Sequence, residues 1–157
     1  MLRSVIEHGG KSAPAHLKIT TQAATGMGVV ITNGALTLPA EETAADLYFL
    51  QKARVLTGTD AARSEVSDYL PLFNTFAANE LAIAENYDYG EEFATDQYDA
   101  TSITAENAGK RVAVGTDGKV KIASGGVASK YVLVGLYNDG SHVLAHIRVS
   151  DTATTNA

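Results

Sequence analysis

Between residues 107 and 149 the chain alternates short β-branched and aromatic runs with turn dipeptides that accept positive φ. In order these are Arg111-Val-Ala-Val-Gly, Thr116-Asp-Gly-Lys, Val120-Lys-Ile, a Gly125-Gly126 break, Tyr131-Val-Leu-Val-Gly-Leu-Tyr, Asn138-Asp-Gly and His142-Val-Leu-Ala-His-Ile-Arg-Val. The runs are too short for helices, and turns this tight join only antiparallel neighbours. The stretch therefore predicts a β meander.

The same grammar extends upstream. His16-Leu-Lys-Ile-Thr-Thr alternates with period two and predicts a half-buried strand with Leu17 and Ile19 inward. Met27-Gly-Val-Val-Ile-Thr leads through Asn33-Gly34 into Ala35-Leu-Thr-Leu, a hairpin signature. Residues 39–45 read as a loop or single helical turn, and 46–56 as a strand. The polar segment 57–63 reads as a loop with room for a helical turn. Pro71 makes 69–73 an edge or connector, because proline cannot donate to a central ladder. Glu80-Leu-Ala-Ile-Ala-Glu alternates and puts Leu81 and Ile83 on one face. The fold class expected is all-β: a small antiparallel barrel or sandwich with an extended N-terminal arm and one or two short helical turns.

Residues 1–15 read as an arm and linker, broken by His8-Gly9-Gly10 and stiffened by Pro14. Residues 16–150 form one β-rich domain on this reading, and the Thr/Ala/Asn-rich 151–157 a flexible tail. A chain of 157 residues with 45% hydrophobic and 19% charged side chains suffices for one buried core. No apolar run approaches the about 20 residues of a membrane-spanning helix, and the N-terminus lacks a signal-peptide pattern. The expectation is a soluble chain with no membrane partner. A net charge of -6 disfavours wrapping of phosphate backbones, so no nucleic-acid partner is expected.

The residues that could carry chemistry are poorly arranged for it. There is no cysteine, and no serine stands in Gly-x-Ser-x-Gly. His142 and His146 would lie on one face of a strand, roughly 13 Å apart, too far to share a metal ion. The acids Glu85, Asp88, Glu91, Glu92, Asp96 and Asp99 lack the alternation of a calcium loop; a weak cation site there is the alternative to solvated loop acids. Tyr48, Phe49, Tyr69, Phe73, Tyr87, Tyr89, Phe93, Tyr131 and Tyr137 read as core and interface filling before they read as a stacking platform. No catalytic, cofactor-binding or metal residue is assigned, and the chain is not expected to be an enzyme.

Three blocks carry a resemblance: Tyr89-Gly-Glu-Glu-Phe-Ala-Thr-Asp-Gln-Tyr-Asp, Asn107-Ala-Gly-Lys-Arg-Val-Ala-Val-Gly-Thr-Asp-Gly-Lys-Val and Tyr131-Val-Leu-Val-Gly-Leu-Tyr. Over residues 80–149 they resemble head structural proteins of tailed bacteriophages, in particular capsid decoration (cement) proteins. The resemblance implies a virion protein on the outer surface of the capsid, partnered by the major capsid protein and by itself as a dimer or trimer. The expected capsid or subunit interface is Leu2, Arg3, Val5, Ile6, Leu17 and Ile19, backbone edges that a neighbour could pair with. A tail, neck or fibre-type virion component is the alternative reading, and a carbohydrate-binding module a more distant one.

Overall fold

The computed structural model describes residues 1–6, 15–51, 74–140 and 142–156. The expected loop at 57–63, the connector at 69–73 and most of the linker lie outside these. Among the described residues the chain is all-β, with a single 3-10 turn at Ala105–Asn107 that the sequence reading did not place.

Thirteen strands are present among the described residues: β1 Leu2–Ile6, β2 Ala15–Lys18, β3 Ala23–Ala24, β4 Gly28–Thr32, β5 Ala35–Thr37, β6 Tyr48–Leu50, β7 Thr75–Phe76, β8 Leu81–Glu85, β9 Glu92–Thr95, β10 Val112–Val114, β11 Val120–Ile122, β12 Ser129–Asn138 and β13 Val143–Thr154. The turn chemistry did what it predicted. Asn33 and Gly34 both take positive φ, 51° and 76°, and reverse β4 into β5. Gly118 at 77° reverses β10 into β11, and Gly140 at 77° lies in the turn between β12 and β13.

Two sheets dominate. The first runs β2-β8-β6-β4-β5, and a parallel bridge between Ile19 and Leu36 draws its two outer strands together. The Thr20 N–H donates to the Leu36 carbonyl at 2.9 Å across that seam. Inside the curl lie Ile19, Val29, Leu36, Leu50, Phe76, Ala82 and Ala84, all buried. Ile19 points inward and Leu17 is half-buried against this core, as their period predicts.

On β8 the predicted alternation holds, with Leu81 and Ile83 on one face, and that face is the outward one. Ala82 and Ala84 face the core. Leu17 stands opposite Ala82, and Leu50 opposite Ala84. A tightly curled interior accepts one large side chain per rung, so the alanines fill the remaining space.

The second sheet runs β1-β9-β13-β12 and covers a larger core. At its centre Phe93 stacks on Tyr87 at 4.3 Å between centroids and touches Phe49 at 4.4 Å. Tyr131 meets Phe49 edge-on at 5.8 Å. Phe49 comes from the first sheet, so this aromatic cluster is also the joint between the sheets. The β10–β11 hairpin closes the side through bridges from Thr43 to Val114 and from Arg111 to Val132.

Both chain ends are tied to the sheets. Leu2–Ile6 pairs with β9 as an outer strand of the chain's own sheet, with Met1 and Leu2 buried, so this part of the arm is not free. Burial of two large apolar side chains gives it a place in the core, a gain of about 1.5–3 kcal/mol each. Residues 151–154 continue β13. Beyond them the Asn156 side chain accepts from the Arg111 N–H at 2.7 Å and donates to the carbonyls of Arg111 and Ala123 at 3.0 and 2.8 Å. The Arg111 carbonyl also accepts from the Ala123 N–H at 2.9 Å, while the Arg111 N–H and the Ala123 carbonyl find their partner in the expected flexible tail.

Tyr131 introduces one expected result. Its hydroxyl is buried with no hydrogen-bond partner among the described residues. Burial pushes the phenol well above its ordinary range, with Asp46 and Asp88 acting in the same direction. An unsatisfied buried hydroxyl costs about 1–3 kcal/mol. Tyr131→Phe should therefore unfold at equal or higher denaturant, by about 1 kcal/mol; a loss of that size would reveal a partner for the hydroxyl.

Candidate functional site

The structure divides the six expected interface residues. Leu2 and Ile19 are core residues and cannot meet a partner without unfolding, because their side chains are enclosed by their own sheets. Leu17 is half-buried. The Arg3 guanidinium binds the Asp139 carboxylate at 3.1 Å, clamping β1 to the β12–β13 turn. Val5 and Ile6 remain exposed on the outermost strand of the second sheet.

Close to that clamp is a surface the sequence reading missed. Beyond Leu133 the long β12–β13 hairpin carries Val134, Leu136, Tyr137 and Val143, each between 39% and 46% exposed. A bulge between Leu133 and Gly135 displaces Val134 from the ladder. Bulges bend a strand and increase its twist, which changes the direction of the following residues. Lys110 and Gly109 hydrogen-bond the outer edge of β12 as far as Leu133. From Val134 to Asn138 its backbone pairs only with β13 among the described residues. The result is an uncharged strand edge beside four large apolar side chains. The signal was present as an apolar run from Tyr131 to Leu136, interrupted only by Gly135. A strand covered on one face alone would alternate instead.

The acids singled out in the sequence are dispersed into local duties. Glu91 is buried and accepts from the Asp88 N–H at 2.8 Å, closing a turn. Glu92 binds His146 at 2.7 Å across the sheet. Asp96 receives the Met1 ammonium and Gln97. Asp99 accepts from the Thr101 hydroxyl and N–H, which hold its carboxyl below the usual range. Among the described residues no three His, Asp or Glu side chains gather as a metal site.

A further polar cluster is built on Glu42. Its carboxylate accepts from the Ser124 N–H and hydroxyl at 2.7 and 2.8 Å and from Lys121 at 2.9 Å. Burial raises this carboxyl, but those hydrogen bonds together outweigh burial and leave it below its ordinary 4.5. A depressed carboxyl contributes stability that is complete above the unfolded value and is lost as pH falls through the folded one. Wild type should thus lose stability below pH 4.5 faster than Glu42→Gln, with the two curves parted by about 1 kcal/mol at neutral pH. Urea unfolding at several pH values measures this; parallel curves would contradict it.

No protein family, curated protein or solved structure matches the chain.

Proposed function

We propose that this chain is a virion structural protein: a capsid decoration protein that binds the outer surface of a tailed-phage head and strengthens contacts between capsomers. On this reading it works by binding and catalyses no reaction. The observation that carries the reading is the end of the β12–β13 hairpin, where an unpaired edge and four exposed apolar side chains coincide. Large apolar side chains left exposed on both faces of a strand end mark a contact site, and an unblocked edge is a template for another strand. The blocks resembling head proteins include this strand, so the resemblance and the surface converge on the same residues. Weak contacts of this kind add on a symmetric lattice, because every copy is held beside identical neighbours.

The test is co-sedimentation of purified protein with empty shells, with electron microscopy of the bound particle. Leu136→Lys with Val143→Lys should keep the folded state and lower shell binding by about tenfold or more. Shells that fail to retain the wild-type protein, or label found on the tail instead, would overturn the decoration reading.

A further inference from the structure

The outward face of the second sheet carries a second surface of different chemistry. One rung crosses it from Ile6 through Glu92 and Arg148 to Val132, which bridges to Arg111. Paired residues point to the same side of a sheet, so Arg148 and Arg111 share this face with their Cα atoms about 10 Å apart, two strand spacings. Between and below them is an open groove of about 620 Å³, rimmed by Tyr89 and floored by the strand end at Ser150 and Thr152. Tyr89 is 68% exposed, the most exposed large apolar side chain among the described residues.

Among the described residues the two arginines have no carboxylate partner. The Arg111 guanidinium donates to the Ser150 hydroxyl, and the Arg148 side chain makes no ion pair or hydrogen bond among the described residues. Glu92, opposite Arg148 on the ladder, is bound to His146 instead. Asp151 also lines the groove and is exposed. Arginine and tyrosine are among the side chains most enriched where protein partners bind tightly, and a guanidinium pairs a carboxylate through two parallel hydrogen bonds.

We infer that this groove receives an acidic segment of a protein partner, placing one or two Asp or Glu carboxylates on Arg148 and Arg111 with an apolar contact to Tyr89. A long polyphosphate is the poorer fit. It would meet Glu92, Asp151 and a net charge of -6 along its length, whereas one or two carboxylates meet the arginines first. The inference rests on the binding role proposed above and adds the chemistry of the partner surface.

The test is an NMR titration of the folded chain with a Glu-Ala repeat octapeptide. A Lys-Ala octapeptide and a single-stranded oligothymidylate serve as the other arms, all at about 0.15 M salt. The Glu-Ala peptide should shift the Arg148 and Arg111 side-chain N–H signals and the backbone amides from 148 to 152. Arg148→Gln should weaken binding about tenfold and Tyr89→Ala by a similar factor, while the salt dependence falls only in the arginine variant. The thermal melts of both variants should match wild type.

Absence of shifts with the Glu-Ala peptide, or equal shifts with the Lys-Ala peptide, would overturn the inference. Tighter binding of the oligothymidylate would overturn it in favour of a polyphosphate site. The titration needs no shells, so peptide binding without shell binding would sink the decoration reading and leave the groove standing.

Discussion

Phe93→Ala should remove about 3–5 kcal/mol of stability, the range for deleting a large aromatic side chain from a core. Phe93 is fully buried, stacked on Tyr87 at 4.3 Å and tilted against Phe49 at 4.4 Å, with Tyr131 edge-on at 6.3 Å. Those neighbours come from β6, from the segment before β9 and from β12, so the void left by the ring is walled by three parts of the chain. Phe49 and Tyr131 cannot fill it without leaving their ladders. A domain is typically stable by about 5–15 kcal/mol, so this single change takes a large share. The measurement is urea unfolding with an unchanged slope and a lower midpoint. Tyr89→Ala, four residues earlier on an exposed turn, should stay within about 0.5 kcal/mol of wild type. If Phe93→Ala costs no more than Tyr89→Ala, the aromatic cluster is not the joint described here.

How much of this was legible in the sequence depends on the range of the interaction that decides each feature. The hairpin at Asn33-Gly34 and the reversal at Gly118 were readable because positive φ is a local demand met by local residues. Strand identity at Leu81–Glu85 was readable from period two, but the inward face was not. Periodicity supplies two faces, and only the bulk of Leu17 and Leu50 across the ladder makes the alanines the buried ones. The docking of Leu2–Ile6 onto β9 and the seal made by Asn156 lie further out of reach. Asn156 acts on Arg111, 45 residues earlier in the chain, and a short polar tail gives no sign of such a partner. The apolar hairpin end falls between these cases. Its composition was plain, but the place where the rest of the sheet stops covering it is a tertiary fact.

The glycine at position 26 illustrates the same division and yields the other large effect. The structure shows why no other residue fits there. Gly26 has φ of +90°, its N–H donates to the Leu50 carbonyl at 2.7 Å, and its own carbonyl accepts from the buried Thr95 hydroxyl at 2.9 Å. Its own N–H and carbonyl therefore tie the first sheet to the Thr95 side chain of the second. A Cβ at this position would stand 2.4 Å from the Thr95 oxygen and 2.6 Å from the Met1 carbonyl oxygen. One of these is backbone held by β1 and cannot rotate away. Gly34 provides the comparison, with φ of +76° and nothing within 4 Å of a Cβ. Gly34→Ala should cost about 1 kcal/mol, the penalty for a side chain in the left-handed region. Gly26→Ala should cost about 3 kcal/mol or more, because overpacking adds to the same backbone term. The difference between the two variants in urea midpoint isolates the close approach of β1, Thr95 and the Gly26 turn. Equal losses would mean that the sheets are not held together at this contact, and that β1 can lift from it without disturbing the core.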